Sequence, residues 1–493
     1  MAVLAIDAGT TGVTAVVVDP DGTVVARGYQ EFPQLFPRPG WVEHDPDSIW
    51  DAVRAASASA LAAAPTTPTC IGITNQRETV VLWDRQTLAA PRPAIVWQDR
   101  RSAQLCERLR ADGHESLITT RTGLRLDPYF SATKLAWLAA EEPATWADVR
   151  AGRTVVGTVD SYLAARLTGG RVHVTDPSNA SRTLLFDLAE GDWSEELCAL
   201  FDVPRSALPE IVPTNAVIGR TDPEAFLGLD LPVAALVGDQ QSALFGQTCF
   251  TVGSSKCTYG TGSFVLVNTG TKAATPDAGL VATVGWQLDG QPTTYALEGS
   301  IFVTGAAVQW LRDGLGMIPA AADVEPLAAS VPDSGGLVFV PALTGLGAPD
   351  WDPYARGAMF GLTRGTSRAH VARATLDAIA FQVRDVTDAM ARCTGQPLTG
   401  LTVDGGAAVN NLLCQLQADQ LGLPVRRPTI TDTTALGAAY LAGLATGVWG
   451  STDEITKRWH LDREFTAGAG AADRDKAHRR WRRAVAAVRE WSA

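Results

Sequence analysis

The segment VLAIDAGTTGVTAVVV (residues 3–18) places a small-residue turn between two apolar runs. The runs are rich in valine and isoleucine, so they predict two strands joined by a tight glycine–threonine turn. Such a turn can direct backbone N–H groups and threonine hydroxyls to one point, which suits phosphate oxygens. Asp7 ends the first strand and offers the hard oxygen ligand that Mg²⁺ prefers, although an acidic residue before a glycine turn is common.

The same order of elements recurs in SKCTYGTGSFVLVN (residues 255–268), where a strand, a glycine–threonine turn and a second strand follow one another. The recurrence predicts two related halves, and two such hairpins facing each other could hold a nucleoside triphosphate from both sides. The sequence has no GxxxxGK[ST] and no GxGxxG after a strand, which argues against a P-loop enzyme and a Rossmann dinucleotide site.

An apolar run also ends in a polar cluster at GITNQRET (residues 72–79), where Arg77 stands beside Glu78. A guanidinium supplies donors and a carboxylate supplies acceptors, so the pair can bind neighbouring hydroxyls of a small polyhydroxylated ligand. A surface ion pair at a strand end is the alternative interpretation.

Two further apolar runs end in candidate site residues. LPVAALVGDQQ (residues 231–241) predicts a buried strand that carries Asp239 at its end, as a catalytic acid or base or as the N-cap of a helix over residues 242–247. LTVDGG (residues 401–406) predicts a strand that runs into a glycine turn before a helix over residues 407–421. The two glycines allow either close approach of a flat ring or a simple turn.

Composition limits the functional classes. The 493 residues predict two or three domains, and the net charge of −12 argues against a non-specific nucleic-acid binder. Seven scattered cysteines without CxxC favour a reducing cytoplasm and argue against structural zinc. We expect no signal peptide, because Met1 leads directly into a strand, and no stable membrane association, because no apolar run could cross a bilayer. The basic segment 474–489 predicts a terminal helix that docks on the body of the protein, with these residues on one side: Trp481, Val485, Val488 and Trp491.

Eight motifs in this order resemble the FGGY carbohydrate kinase family of the actin-like ATPase superfamily. They are distributed along most of the chain: GWVEHDP (40–46), GITNQRET (72–79), IVWQDRR (95–101), DPYFSATKL (127–135), DPSNASRT (176–183), GDQQ (238–241), LEGSIF (297–302) and TTALGAAY (433–440). The NQRE tetrapeptide is typical of the members that act on glycerol, whereas the xylulose kinases differ at that place.

The resemblance implies two actin-like (ribonuclease H-like) α/β domains, residues 1–247 and 248–493, each with a mixed sheet flanked by helices, around a central cleft. The second domain would carry the adenosine site and the C-terminal helix. The implied activity is transfer of phosphate from ATP, with Mg²⁺, to glycerol in glycerol catabolism, giving sn-glycerol 3-phosphate and ADP. We expect a cytoplasmic homo-oligomer, either a dimer or a tetramer.

The resemblance also assigns site residues. Asp239 would be the catalytic base and, with Asp7, would hold the metal. The substrate would be bound by the following residues: Arg77, Glu78, Trp97, Tyr129, Asp239, Gln240 and Phe264. The nucleotide would be bound by a second set: Thr10, Thr11, Gly12, Thr14, Thr261, Gly262, Gly305, Gln309, Gly406 and Asn410.

Thr14 departs from the family, which usually has an arginine at this place that touches the nucleotide phosphates. Arg100 and Arg101 are candidates to replace it. Two other functions stay open at this point. One is a kinase of the same family for another polyol or a ketose, and the other is a nucleotide-dependent sensor without transferase activity.

Overall fold

The computed structural model describes residues 1–277, 279–468 and 470–492 and contains two mixed β-sheets with helices packed on their faces. The first half of the chain forms β1 (Val3–Ala8), β2 (Gly12–Val18), β3 (Val24–Glu31), β4 (Glu43–His44), α1 (Pro46–Ala63), β5 (Cys70–Asn75), β6 (Val81–Asp84), β7 (Ala94–Ile95), α2 (Ala103–Ala111), α3 (Glu115–Thr122), α4 (Ser131–Glu141), α5 (Pro143–Arg150), β8 (Thr154–Gly157), α6 (Val159–Leu167), β9 (Val174–Thr175), α7 (Pro177–Ala180), β10 (Phe186–Asp187), β11 (Asp192–Trp193), α8 (Glu195–Leu200), β12 (Glu210–Ile211), β13 (Gly219–Arg220), β14 (Pro232–Gly238) and α9 (Asp239–Gly246).

The second half forms β15 (Ser255–Tyr259), β16 (Ser263–Gly270), β17 (Val281–Trp286), β18 (Thr294–Ile301), α10 (Gly305–Gln309), α11 (Val324–Ala329), β19 (Val338–Val340), β20 (Ala358–Phe360), α12 (Arg368–Thr394), β21 (Leu401–Asp404), α13 (Asn411–Leu421), β22 (Val425–Pro428), α14 (Thr433–Thr446), α15 (Thr452–Thr456), β23 (Leu461–Phe465) and α16 (Ala471–Ser492). Single 3-10 turns occupy Arg205–Ala207, Ala321–Asp323 and Gly406–Val409, and a π turn occupies Trp310–Gly314.

The first sheet has six strands in the order β13-β14-β5-β1-β2-β3. Strands β1, β5 and β14 are parallel, and the other three are antiparallel to their neighbours. Leu4 and Ile6 pack on one face with α1 and α6, whereas Val3 and Ala5 pack on the other face with α9 and α14. Because both faces of the sheet are covered, its central strands are continuous apolar runs.

The second sheet repeats this topology. Its strands follow the order β17-β18-β16-β15-β21-β22-β23. The order β18-β16-β15-β21-β22-β23 has the same succession of antiparallel and parallel pairs as β3-β2-β1-β5-β14-β13. The hairpins β1–β2 and β15–β16 therefore occupy equivalent places, which confirms the two related halves expected from the recurring sequence pattern.

Helices α9 and α14 join the two halves. Helix α14 connects β22 of the second sheet to α15 but packs on the first sheet, and the same hydrophobic cluster includes Leu266 and Ala296 of the second sheet. The two helices cross closely at glycines, because a Cβ at Gly437 would lie 1.9 Å from the carbonyl oxygen of Ser242. Glycine at this crossing is thus a packing requirement.

The predicted terminal helix is present and docks on the body of the protein. Trp481, Val485 and Val488 are buried, and Trp481 stacks on Phe381 of α12. The prediction for Trp491 was wrong, because its side chain is 86% exposed. Trp491 lies ten residues after Trp481 and one residue before the end of the helix at Ser492.

Two predicted helices differ in their limits. Helix α9 begins at Asp239 rather than at residue 242, with Gly238 as its N-cap. The segment 407–421 is divided into a 3-10 turn and α13, since Asn410 adopts an extended conformation and caps the second helix. Among the described residues, no helix combines the length and the apolar character needed to cross a membrane.

We expect Gly437→Ala to lower the free energy of unfolding by about 1–3 kcal/mol, because the added methyl group forces two packed helices apart. Gly365→Ala is the control, since a Cβ there meets its nearest neighbour only at 3.8 Å. Denaturant unfolding of both variants checks this. Equal stability of Gly437→Ala and the unmodified protein would contradict the close helix crossing.

Candidate active site

Strand register brings two predicted site carboxylates, Asp7 and Asp239, to one edge of the first sheet. Asp7 of β1 lies opposite Thr74 of β5, and Gly238 of β14 lies opposite Asn75 of β5. The three strands are parallel, so their carboxyl ends share an edge, where ligands bind in open α/β sheets. Asp239 follows directly as the first residue of α9.

The environment of Asp7 favours a cation. Burial raises the pKa of Asp7 to about 8, repulsion from Asp239 and Asp432 adds to the rise, and Arg27 opposes it. No group of three or more His, Cys, Asp or Glu side chains that could hold a metal occurs in the described part of the chain. Mg²⁺ usually combines one or two carboxylates with substrate phosphates and water, so Asp7 and Asp239 fit an ion that binds together with a nucleotide.

A strained turn orients Arg77 and Glu78 in different directions. Glu78 has a φ of 62°, and the N–H of Thr79 donates to the carbonyl oxygen of Arg77 at 2.8 Å. This three-residue γ-turn is a costly backbone conformation for a residue with a Cβ, and such strain clusters at functional sites. Both side chains are buried, so the alternative of a surface ion pair is wrong.

Arg77 lies at the centre of a buried ion network. Its Nε is 2.9 Å from Oδ1 of Asp239, and its Nη1 is 2.5 Å from Oε2 of Glu298. Arg182 connects the same Glu298, at 2.9 Å, to Glu78, at 2.7 Å. Burial opposes ionisation of Glu298, but Arg182 and Arg77 outweigh it and lower the pKa of this carboxyl to about 2. Burial raises the pKa of Glu78 despite both guanidiniums.

Arg182 and Glu298 had no predicted role, although both occur in the motifs quoted above. Glu298 is a charged residue inside the apolar strand β18, and that was the available signal in the sequence. The network changes the interpretation of Arg77 and Glu78, because the two residues do not form an isolated pair that is available to a ligand. Each first satisfies a buried charge of opposite sign, which is the usual condition for burying an ion.

Three aromatic residues predicted to line a polyol site lie around this network. Trp97 and Tyr129 make an edge-to-face contact with ring centroids 5.6 Å apart. The Arg77 guanidinium lies 5.8 Å from the centroid of Phe264. The rings come from different parts of the chain and meet around the charged residues, an arrangement that can cover an apolar carbon chain while polar groups bind its hydroxyls.

Gln240 is nearly buried and is held by a lysine that the sequence did not identify. Lys256 is fully buried, and its Nζ donates to Oε1 of Gln240 and, at 2.8 Å, to Oγ1 of Thr258. Burial lowers the pKa of Lys256, while Asp404 acts in the opposite direction. With Oε1 of Gln240 accepting from Lys256, the amide of Gln240 offers its N–H groups to a ligand.

The second hairpin packs on the start of α10, which brings three predicted nucleotide residues together. Thr261 accepts from the N–H groups of Thr304 and Ala306, and Gly305 donates to Gly260. A Cβ at Gly262 would lie 2.3 Å from the carbonyl oxygen of Ile301, so glycine is required there. Gln309 is exposed at the other end of this short helix.

The two glycines after β21 are under different structural constraints. Gly405 has a φ of +84° and would bring a Cβ within 2.6 Å of Tyr259, so the local backbone requires glycine at this position. Gly406 has no such constraint, and a Cβ there meets no atom within 4 Å. Asn410 uses its Oδ1 to cap α13 through the N–H of Leu413 at 2.8 Å, which leaves its amide nitrogen for other contacts.

Thr14 faces a different arginine from those expected. Arg100 is paired with Asp127, and Arg101 with Asp99 and Glu43, so both are committed elsewhere. Strand pairing places Thr14 opposite Tyr29 and Val16 opposite Arg27, so Thr14 and Arg27 are diagonal neighbours on one face. Arg27 also pairs with Asp432 at 3.3 Å.

The assembled geometry suits transfer of a proton to Asp239 from a hydroxyl that is bound next to a phosphate group. Asp239 is the most accessible carboxylate in contact with Arg77, with its side chain 26% exposed. It is the first residue of α9, and its charge acts on Asp7. A carboxylate so placed can accept a proton from a bound hydroxyl, while the hairpins offer N–H and hydroxyl donors to phosphate groups.

Comparison with known proteins identifies the family. Profiles for the N-terminal and C-terminal domains of the FGGY family of carbohydrate kinases match residues 2–246 and 255–446. Glycerol kinase of Aromatoleum aromaticum is 54% identical over 500 residues, which cover 99% of both chains. Glycerol kinase 2 of Thermotoga maritima is 50% identical over 492 residues, again 99% of both.

A solved structure agrees with these relatives. The crystal structure of Plasmodium falciparum glycerol kinase with ADP superposes with a TM-score of 0.92 at 34% sequence identity, over 99% of this chain and 98% of that chain. Matches to both domains, full-length relatives with about half of their residues identical, and a common fold lead to one conclusion: the chain belongs to the FGGY family of carbohydrate kinases.

Proposed function

We propose that this chain transfers the γ-phosphate of ATP to a terminal hydroxyl of glycerol, giving sn-glycerol 3-phosphate and ADP. The observation that carries the proposal is the carboxylate of Asp239, held by the buried Arg77 at the edge shared with Asp7. The full-length relatives named glycerol kinase support this choice of substrate.

In the proposed reaction, Asp239 accepts the proton of the terminal hydroxyl as its oxygen forms a bond to the γ-phosphorus. The bond between that phosphorus and the β–γ bridging oxygen breaks, and ADP leaves with the electron pair. Arg77 and Gln240 hold glycerol hydroxyls, and Trp97 and Phe264 cover its carbon chain. Positioning and charge neutralisation supply most of the rate in such transfers.

We place the nucleotide between the two hairpins, with Asp7 and Asp239 near its phosphates. These two residues would hold Mg²⁺, which neutralises charge on the phosphate oxygens when bound. We assign the adenosine side to Gly406, Gln309 and the free amide of Asn410.

We retain three further proposals. The chain divides into an N-terminal domain of residues 1–247 and a C-terminal domain of residues 248–493. The protein acts in the cytoplasm, in agreement with its seven free cysteines, since thiols persist in reducing compartments. It forms a homo-oligomer, a dimer or a tetramer, which sedimentation analysis would establish.

A coupled assay of ADP release tests the proposed reaction with glycerol, dihydroxyacetone, erythritol and xylulose. We expect the highest kcat/KM with glycerol and little release without a polyol. Asp239→Asn should lower kcat by about 10²–10⁴-fold, as expected for loss of a general base. Asp230→Asn is the control and should leave kcat unchanged, because Asp230 belongs to an exposed ion pair far from the site. Preference for xylulose, or ADP release independent of polyol, would favour one of the two other functions.

Gly406→Ala tests the assigned adenosine side. We expect the KM for ATP to rise about tenfold or more, since a misplaced methyl group in a binding site costs about 1–3 kcal/mol. Unfolding should be unchanged, because no atom lies within 4 Å of the added Cβ. Gly405→Ala, in contrast, should destabilise the fold. Unchanged ATP kinetics in folded Gly406→Ala would remove this position from the nucleotide site.

Arg27 is our candidate for the cation that position 14 lacks. We expect Arg27→Met to raise the KM for ATP by up to about fivefold, in the range of exposed charge pairs. Thr14→Arg should restore the loss in the Thr14→Arg/Arg27→Met double variant. Arg220→Met is a matched control, since Arg27 and Arg220 are both 55% exposed and paired with an aspartate. If Arg27→Met and Arg220→Met behave alike, Arg27 does not serve the nucleotide.

A further inference from the structure

Two glutamine side chains form hydrogen bonds with backbone carbonyl groups of the first hairpin turn. Nε2 of Gln76 donates to the carbonyl oxygen of Gly9 at 3.0 Å, and Nε2 of Gln34 donates to that of Thr10 at 2.8 Å. Carbonyl oxygens would repel a phosphate, and here both are engaged by amide donors of the protein. The conformation of the turn therefore depends on where these two amides are held.

His44 connects the two glutamines. Its Nε2 lies 2.6 Å from Oε1 of Gln34, and its Nδ1 lies 3.4 Å from Nε2 of Gln76. Because Gln34 donates through its nitrogen, its oxygen must accept, so we assign the imidazole hydrogen to Nε2 and the acceptor role to Nδ1. Burial lowers the pKa of His44 to about 4, which keeps the ring neutral and preserves both contacts near neutral pH.

Trp97 is attached to the same hairpin by two routes. Its indole Nε1 donates directly to Oγ1 of Thr10 at 2.9 Å. Its backbone N–H donates to Oγ1 of Thr79 at 3.2 Å, and that hydroxyl donates to Oε1 of Gln76 at 2.9 Å. We name Gln34, His44, Gln76, Thr79 and Trp97 the hairpin frame. Apart from Gln34 and Trp97, which are partly buried, its members are buried.

The ring of Trp97 also contacts that of Tyr129, with centroids 5.6 Å apart, at the proposed polyol site. A polyol packed on the indole would therefore restrict a side chain whose N–H is bonded to the phosphate hairpin. The bond between Nε1 and Thr10 directly joins a residue of the assigned polyol site to a residue of the assigned nucleotide site, and it does not require movement of either domain.

We propose that Trp97 couples the two substrates: a polyol that packs on its indole orders Thr10 through the indole N–H, so that each substrate binds more tightly in the presence of the other. This inference rests on the proposed function, which assigns the polyol to Trp97 and the phosphates to the first hairpin. Coupling of two binding equilibria is reciprocal, and typical values are about 5–150-fold.

Trp97→Phe tests this, because it keeps an aromatic wall and removes the indole N–H. Calorimetry would give the Kd of the β,γ-methylene analogue of ATP with and without saturating glycerol. We expect glycerol to lower this Kd at least about fivefold in the unmodified protein, the lower end of typical coupling, and less than about twofold in Trp97→Phe. Thr10→Val removes the acceptor with little change of shape and should cause the same loss.

The double variant Trp97→Phe/Thr10→Val should lose no more coupling than either single variant, since all three lack the same bond. Tyr129→Phe is the control, because it alters the neighbouring ring but retains the bond, and it should keep the coupling. The inference is overturned if folded Trp97→Phe and Thr10→Val both keep the coupling of the unmodified protein, or if that protein shows none. Failure of the proposed function would be recognised by a different result, namely the absence of glycerol-dependent ADP release in the unmodified protein.

Discussion

The removal of the Arg77 guanidinium from water is the constraint on which the rest of the site depends. A buried cation is tolerated only when its charge is compensated by partners of opposite charge. Here the partners are Glu298 and Asp239, and Glu298 in turn needs Arg182, which needs Glu78. Substitution of one member leaves an opposite charge buried without compensation. The network thus positions Asp239 from inside the protein, at an edge that stays partly open to a ligand.

This network also explains how two sheets form one site. Arg77 and Glu78 follow β5 of the first sheet, whereas Glu298 lies on β18 of the second. Two kinds of contact therefore connect the two halves. Ion pairs connect them at the site, and the shared helices α9 and α14 connect them through hydrophobic packing. The close glycine crossing of the helices keeps the sheets at a spacing that lets a charge on one reach a charge on the other.

The two hairpins are topologically equivalent but are stabilised differently. The first turn is held by uncharged side chains, including an imidazole kept neutral by burial, and strand pairing places Arg27 diagonal to Thr14 on a neighbouring strand. The second turn is held by the backbone of α10. A hairpin fixed by neutral groups presents its donors without a competing internal charge, which suits a ligand that brings both its own negative charge and a cation.

Much of the fold followed from local patterns. Apolar strands, glycine–threonine turns and their recurrence predicted two related halves, because strand period and turn chemistry act over a few neighbouring residues. The same patterns located Asp7, Arg77, Asp239 and Gly405–Gly406 at strand ends. Trp491 was misassigned, since helical period alone cannot tell how far along a helix its buried contacts extend.

The partners of these residues were decided by tertiary structure alone. Arg77 and Glu298 are 221 residues apart, and Gln76 and His44 are 32 apart, so no local pattern links them. The sequence likewise offered Arg100 and Arg101 as candidates for the cation missing at position 14 but could not place them, whereas strand register brings Arg27 diagonal to Thr14. The sequence by itself determined which residue types stand at strand ends and turns. Only the packing of two sheets around shared helices decided which charges meet, because burial and pairing arise from contacts between segments distant in the chain.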